Sequence, residues 1–509
     1  MGVYSITDSA MSALNIAQAG ILTTSQNVAG ASVDGFTRRT ADATINALAP
    51  NSLMLNGTSF AVEGFTRQYS SLLNSQVLSQ QAKSSYSDTL VQYTQGIDTL
   101  VADQSTGLNT AISNFFNAVG TYAADPTSKP QAAAITASAN EVARRIVGMS
   151  SLTSQITSDA KKGLADTAAQ VNTLLPELAQ INAQIIKGTS SGNSYPSADL
   201  LDERDRLLSQ LQKLVGGQSL INADGTATHL IAGMPLVDRT VANKLVMNGG
   251  QDMHTAVYSL KSGSDNTTLT SVQHLEGGQA GALLELVNTF VPKIDQRLDT
   301  IALGLVSAAN TASQTANNVF TQTNPLLAIF GFQVGAQKLP SLEGDITADI
   351  NSVADSYGQL VSGINSQENI DRLYNYLADS SNSLTASGFK AANFISLAPT
   401  DTAAYFDVMG NSLITSDAAN TLQKQSSIFI GSSASLVSDV GVQVATWKST
   451  QKADTAVMAN LKSQKDSVSG VNLDEEAANL LKYQQLYTAS TKVLQTGNQM
   501  FNALLSIMN

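Results

Sequence analysis

The chain has 509 residues and no cysteine, and its 40 acidic and 28 basic side chains give it a formal net charge of -12. The lack of cysteine excludes disulfides, thiol nucleophiles and cysteine-ligated metal sites. The acidic balance argues against nucleic-acid binding, which needs a local excess of Lys and Arg. Charged residues make up only 13% of the chain, about half of the usual ~25%. The length predicts two to four domains.

The amino-terminal segment lacks the pattern of a secretory signal. It has no basic region followed by a continuous apolar run. Apolar runs throughout the sequence fall short of the ~18 residues that span a bilayer. We therefore expect no membrane insertion.

The first 30 residues predict a long helix with an unusual surface. No charged side chain occurs between Asp8 and Asp34, whereas a solvated helix normally shows a charged face. We expect this helix to be covered on more than one side. Small and apolar residues follow the spacing of a heptad seam at Thr7, Ala10, Leu14, Ala17, Ile21, Thr24 and Val28.

The carboxyl terminus predicts a second long helix, from Asn472 to Met508. Asn472 is a good N-cap, and Glu475 follows it at the spacing of a capping box. Asp474, Glu475 and Glu476 are explained by the positive end of the helix dipole, although carboxylates could also ligate a cation. The apolar seam of this helix comprises Leu473, Leu480, Tyr483, Tyr487, Leu494, Phe501, Leu504 and Met508.

Four helical patterns lie between the two ends, at about 68–100, 140–187, 197–215 and 280–314. Pro176 predicts a kink or a break in the second pattern. Residues 349–377 look helical, and residues 389–414 are ambiguous.

Two segments predict strands. Residues 218–275 combine tight-turn dipeptides with alternating apolar residues, which is typical of a small β-rich insert. Residues 45–66 predict another hairpin around Asn56-Gly57.

The sequence carries no catalytic motif. His229, His254 and His274 all fall in the β-rich insert without zinc-type spacing, and we expect turn or surface histidines. There is no nucleophile elbow, dinucleotide fingerprint or P-loop. We therefore predict no enzyme activity and no catalytic, cofactor-binding or metal-ligating residues.

The densest charge cluster runs from Asp202 to Arg206. A carboxylate pair for acid–base chemistry is one reading, but we favour an i,i+4 ion pair between Asp202 and Arg206 on an exposed helix face. Two basic pairs, Arg38-Arg39 and Arg144-Arg145, are expected to be solvated.

The terminal helices need packing partners, because ordering the backbone costs ~1–2 kcal/mol per residue and each anchor returns ~1.5–3 kcal/mol only when buried. One hypothesis is that the ends are loose in the free subunit and fold together when subunits stack. The alternative is that the two helices pair within one subunit.

Several segments together resemble the FlgK family of bacterial flagellar axial proteins. They include the N-terminal helix, an axial-protein turn, the Asp-x-Arg-Asp helix and the entry into the last helix. By residue number these are 9–19, 27–38, 200–207, 434–441, 469–476 and 493–496.

The resemblance implies a structural role at the junction of hook and filament. A FlgK-family protein would be exported unfolded by the flagellar type III apparatus and would form a ring with copies of itself at the distal hook end. It would contact the hook protein FlgE and the junction protein FlgL, and its last helix would bind the export chaperone FlgN. The location would be the extracellular flagellum, and no nucleic acid or cofactor would be involved.

The expected fold is mainly α. Residues 1–40 and 470–509 would form a coiled-coil-like inner-tube domain. Residues 41–217, 278–320 and 431–469 would form an elongated helical-bundle shell, residues 218–277 the β-rich insert, and residues 321–430 a short outer α/loop unit.

The candidate assembly and partner-binding residues are the large seam residues of both ends: Leu14, Ile21, Val28, Leu473, Leu480, Tyr483, Tyr487, Leu494, Phe501, Leu504 and Met508. The alternatives are another axial subunit, either a hook protein or a flagellin-like protein, and, more remotely, a secreted enzyme.

Overall fold

The computed structural model describes residues 2–33, 35–46, 59–102, 107–190, 197–249, 255–312, 330–332, 395–397 and 416–508. Helices dominate these residues, so the predicted mainly α class is confirmed. The helices are α1 (Gly2–Gly30), α2 (Ser71–Ala102), α3 (Leu108–Ala124), α4 (Lys129–Ser190), α5 (Ala198–Val215), α6 (Gly278–Glu285), α7 (Val291–Ala312), α8 (Ser416–Lys424), α9 (Ser426–Ser469) and α10 (Leu473–Met508).

The helical body is built on α4. Helices α3, α5, α6 and α7 pack against α4, while α9 runs along α2. Aromatic side chains join α9 to neighbouring helices. Phe429, near the start of α9, stacks on Phe116 of α3 at 5.8 Å, and Trp447, near its middle, meets Phe290 edge-on at 4.7 Å. Helix α8 packs on α3 and α7. The described part of residues 321–430 thus includes a helix that belongs to the body.

Two prolines affect the body helices differently. Pro176 lies inside α4, which continues unbroken to Ser190. Of the two predicted outcomes, the break is wrong and the kink stays a prediction. Pro292 follows a π-helical turn, Leu286–Phe290, that separates α6 from α7. A proline lacks an amide hydrogen and crowds the preceding turn, and one turn of wider helix accommodates this without ending the segment.

Seven short strands occupy the predicted β-rich insert and confirm the strand prediction. Strands β3 (Gln218–Ile221), β4 (Ala227–Ile231), β5 (Met234–Asp238) and β6 (Val241–Ala242) form one antiparallel sheet. Strands β7 (Lys244–Gly249), β8 (Ala256–Lys261) and β9 (Thr268–Val272) form another.

Asparagine side chains fasten both sheets to the helices. Asn172 accepts a hydrogen bond from the Leu245 amide at 2.8 Å and donates one to the Leu245 carbonyl at 2.7 Å. Asn182 does the same with Ala227, and it is fully buried. Each carboxamide thereby satisfies backbone groups that a sheet leaves without a strand partner. The insert is therefore held by directional bonds as well as by apolar packing.

The predicted hairpin is confirmed, with strands longer than expected. Strands β1 (Arg39–Asn46) and β2 (Ser59–Arg67) pair antiparallel, with Arg39 opposite Arg67. The turn at Asn56-Gly57 lies outside the described residues, as do the segments 349–377 and 398–414 and His254. Phe330–Phe332 (β10) pairs with Ile395–Leu397 (β11). The assignment of 321–430 to an outer unit stays a prediction.

One stretch of described helix, within Ala419–Ala503, is apolar enough by length and composition to cross a membrane. This is weak evidence for a span, because core and interface helices of soluble proteins have the same composition.

Candidate functional site

Helices α1 and α10 pair antiparallel along their lengths. Asn27 of α1 meets Glu476 at the start of α10, and Gly20 lies under Tyr483. The structure therefore places the two terminal helices together within one subunit, as the alternative hypothesis required. Whether the pair is ordered in a free subunit stays open to experiment.

Small side chains fill the seam on α1. A β-carbon added to Gly20 would lie 2.5 Å from Cγ of Tyr483, so the ring occupies the space that the glycine leaves. Ala10, Ala17 and Asn27 are buried on the same side. The seam thus follows the small residues and lets the two backbones approach closely.

The predicted anchor residues divide into two groups. Leu14, Ile21, Leu480, Tyr483, Leu494 and Phe501 are half-buried at the α1–α10 contact. Val28, Leu473 and Tyr487 are exposed. The side chains of Leu504 and Met508 lie outside the described part of the structure. No finding tests the assembly role of these residues, which stays a prediction.

The outer surface of the helix pair carries large apolar side chains, and several of them, including Leu22 and Leu481, were not selected by sequence reasoning. Leu22 is 49% exposed, and Leu481 is 60% exposed. Met11, Val28, Leu473, Tyr487, Val493 and Met500 are exposed as well. A monomer rarely leaves so many large apolar groups on one small unit without a partner.

An ionic joint connects this pair to the body, and its first half centres on Arg38. The Arg38 guanidinium contacts Glu475 and Glu476 of α10, both at 2.9 Å. Asn27 donates to Glu476 at 3.1 Å and to the Arg39 carbonyl at 3.0 Å, and it accepts from the Arg39 amide at 2.9 Å. The end of α1, the start of β1 and the start of α10 therefore meet at one asparagine.

The second half of the joint lies on α5. The Arg39 guanidinium, only 6% exposed, contacts Asp199 at 2.5 Å and Asp202 at 3.2 Å. Arg67, opposite Arg39 in the hairpin, contacts Asp202 at 2.8 Å and Asp205 at 3.2 Å. Since successive side chains of a strand point to opposite faces, Arg38 reaches α10 while Arg39 reaches α5.

Comparison with family models and known proteins shows which proteins this chain resembles. The model of the flagellar hook-associated protein FlgK helical domain matches residues 94–325, and the model of the flagellar basal body rod FlgEFG protein C-terminal region matches residues 463–507. The flagellar hook-associated protein 1 of Salmonella typhimurium is 28% identical over 99% of this chain and 100% of its own length.

The chain is therefore similar to the FlgK family of flagellar hook-associated proteins, over the helical domain by the family model and over nearly its whole length by its curated relatives. Its relatives in Escherichia coli and Bacillus subtilis, both named flagellar hook-associated protein 1, are 26% and 22% identical over 99% and 98% of this chain and 100% and 97% of their own lengths. A solved structure of the flagellar hook junction protein FlgK from Burkholderia pseudomallei aligns with 51% of this chain and 46% of that chain, at 23% identity and a TM-score of 0.44.

The two family matches fall on different parts of this chain. The helical-domain match runs from the end of α2 to beyond α7 and includes the β insert. The rod-protein match covers the end of α9 and almost all of α10. The exposed apolar helix is therefore the part that this chain shares with rod proteins.

Two sequence predictions about charged residues are wrong. Arg38 and Arg39 are not solvated, because both are held in the joint. Asp202 does not pair with Arg206: Arg206 bonds Glu203 instead, which lowers the pKa of the Glu203 carboxyl. The partners of Asp202 lie more than 100 residues earlier in the sequence, where local spacing gives no signal. Arg144 and Arg145 bond Glu141 on the surface of α4.

The acidic first turn of α10 has two roles. Asn472 caps the helix, as predicted, by accepting from the Asp474 amide at 3.0 Å. Glu475 and Glu476 also pair with Arg38, which the dipole argument missed. The capping explanation was therefore incomplete.

Among the described residues, no group of His, Asp or Glu side chains has the arrangement of a metal site. His229 on β4 is fully buried and bonds Ser219 at 3.0 Å, so the expectation of a turn or surface histidine is wrong there. Burial lowers the pKa of His229 to about 4. His274 is exposed, as expected.

Proposed function

We propose that this chain is a structural component of the hook–filament junction and that it assembles at the distal end of the hook through α1 and α10. The single observation that carries the proposal is the apolar outer surface of the terminal helix pair. Leu22 and Leu481 are exposed in the subunit, and burial of such side chains stabilises association by ~1.5–3 kcal/mol each.

The low charge of the terminal helices supports packing among many copies. Desolvating an ionic group is costly unless it finds a partner, and α1 carries one charged residue, Asp8, among its 29 residues. Hydroxyl and amide side chains keep the surface polar, and their desolvation costs less free energy than that of ionic groups. We infer that copies of this chain form a ring in which these helices line an inner tube.

Neighbouring proteins in the proposed assembly would be the hook protein FlgE on one side and the junction protein FlgL on the other. The match of residues 463–507 to a rod-protein model supports the first contact, since rod proteins share that helix with this chain. Before assembly, the export chaperone FlgN would cover the apolar stripe of α10, in the manner of an amphipathic helix in a groove. Export would proceed through the flagellar type III apparatus, and the absence of cysteine removes any disulfide step.

In the proposed assembly, the predicted domains would be arranged from the centre of the ring outward. Residues 1–40 and 470–509 would lie innermost, and the helical shell of 41–217, 278–320 and 431–469 would surround them. The insert 218–277 would face outward, as would residues 321–430 apart from α8 and the start of α9, which pack in the body. The pair that α1 and α10 form within one subunit would be stabilised further in the assembly, where its exposed apolar side chains would be covered.

Gene deletion tests the proposal. Cells without the chain should build hooks, lack filaments and release flagellin into the medium, and expression of the intact chain should restore attached filaments. Attached filaments in the deletion strain would refute the junction role. The purified chain should not form long filaments by itself; if it did, a flagellin-like function would replace this proposal.

A further inference from the structure

We propose that α1, the β1–β2 hairpin and α10 form one rigid lever, and that an arginine–aspartate lock on α5 sets the angle of this lever to the helical body. The terminal lever comprises residues 2–33, 35–46, 59–67 and 473–508 of the described chain. The lock comprises Arg39 and Arg67 on the lever and Asp199, Asp202 and Asp205 on α5. The existence of the lever and the lock does not depend on the proposed function; only the use of the lever in assembly rests on it.

The lever is rigid because its three parts are bonded to one another. Asn27 of α1 binds both backbone groups of Arg39 and the carboxylate of Glu476. Arg38 contacts two glutamates of α10. Near the middle of α1, the Tyr483 ring fills the gap above Gly20. A rotation within the lever would break several of these bonds at once.

The covalent attachments of the lever to the body are short and non-helical. Residues 68–70 lead from β2 to α2, and residues 470–472 lead from α9 to α10. Each link provides a few backbone dihedrals that can absorb rotation, as hinge residues do. Two hydrogen bonds lie along the hinge: Arg38 N donates to the Ser469 carbonyl at 2.8 Å, and Gln68 N donates to the Arg38 carbonyl at 2.8 Å.

A cleft beside the hinge provides room for movement. It has a volume of about 590 Å³ and is lined by the segment after α1, which includes Phe36 and Arg38, by Asp466 and its neighbours at the end of α9, by the α9–α10 link, and by Glu475 of α10. The lever can close toward this cleft without displacing packed apolar side chains of the body.

The lock lies away from the two links and opposes that movement. Arg39 and Arg67 share the carboxylate of Asp202, and Thr37 donates to the same carboxylate at 2.6 Å. Arg67 also reaches Asp205, which Arg204 contacts at 2.6 Å. Because the two lever arginines are nearly buried, their removal leaves acidic side chains of α5 without the charges that neutralise them. Released, the lever would sample a range of angles.

Spin-label distances in the full chain test this inference. The natural chain has no cysteine, so labels at Gln18→Cys on α1 and Gln170→Cys on α4 report the lever angle without background. The intact lock should give one narrow distance distribution. Arg39→Met with Arg67→Met should broaden and shift it, while circular dichroism stays unchanged.

Two controls separate lock release from general damage. Arg144→Met with Arg145→Met also removes two arginines, but they bond only within α4 near Glu141, and the distribution should stay narrow. Labels at Gln18→Cys and Gln495→Cys, both within the lever, should keep their distance in the lock variant. If the lock variant loses helicity, Asp202→Asn is measured in its place, with the same broadening expected.

An unchanged narrow distribution in a folded lock variant overturns the inference, and so does equal broadening in the Arg144/Arg145 control. Both measurements use the free chain, so a failure of the junction role in cells would not affect them.

Discussion

The phenol ring of Tyr483 in α10 lies directly over Gly20 in α1. A β-carbon at position 20 would be 2.5 Å from Cγ of that ring, which is the ring atom nearest to the Tyr483 backbone and the one least able to move aside. The closest approach of the two terminal helices therefore depends on the absence of one side chain.

Gly20→Ala is expected to weaken the pairing of α1 with α10. Overpacking costs about 1–3 kcal/mol, and the better helix propensity of alanine returns at most ~1 kcal/mol. Amide hydrogen exchange of residues in α10 should become faster. Gly148→Ala in α4 is the matched control, because a β-carbon there meets no atom within 4 Å, and it should leave exchange unchanged or slow it. Slower exchange in Gly20→Ala would contradict the packing described for Tyr483.

Leu494→Asp combined with Phe501→Asp should separate the terminal helices without unfolding the body. Both side chains are half-buried against α1, and a carboxylate in that seam would be desolvated without a partner. We expect limited proteolysis to remove the two ends while the core of α2 to α9 resists. In cells, filament attachment should be lost. Normal motility in this double variant would rule out an assembly role for the seam.

His229 should make the stability of the β insert depend on pH. Its pKa is about 4 in the folded chain and 6.5 when unperturbed, so the unfolded state binds more protons between these values. Stability contributed by neutral His229 is therefore complete above about pH 6.5 and is lost as the pH falls toward 4. At 1.36 kcal/mol per pKa unit, lowering the pH from 7 to 5 should cost the insert about 2 kcal/mol.

Hydrogen exchange of strands β3 to β5 at both pH values measures this loss. His229→Gln should remove most of the difference, whereas His274→Gln, at an exposed position of the same insert, should retain it. An equal pH dependence in the His229 variant would show that another group titrates.

Local sequence rules were sufficient for most of the helices and strands. The 3.6-residue periodicity, the Asn472 cap and the alternation in 218–275 act over a few residues, and the structure has the elements that they predict. The α1 seam shows the limit of such rules. The large side chains Leu14, Ile21 and Val28 were selected because of their size. The ring of Tyr483, however, lies close to α1 at Gly20, where there is no side chain. Helix α1 therefore presents its small residues to α10.

The ionic joint could not be predicted from sequence spacing. Arg38 and Arg39 have no acidic neighbour at helical spacing, and their partners lie at Asp199, Asp202 and Glu476. The one available signal was the adjacency of Arg38 and Arg39: where a strand begins, neighbouring side chains point to opposite sides, so two adjacent arginines can reach two separate acidic groups. Only the fold brings those partners together.

The most direct test of assembly through the terminal helices uses Leu22→Asp with Leu481→Asp as the only cellular copy of the chain. Both residues are exposed in the subunit, so their replacement should change its stability by less than about 0.5 kcal/mol each. Leu22→Met with Leu481→Met is the control and should support normal filaments. The account predicts that the aspartate variant is exported and folded but leaves bare hooks with flagellin in the medium. Attached filaments of normal number and length in that strain would contradict it.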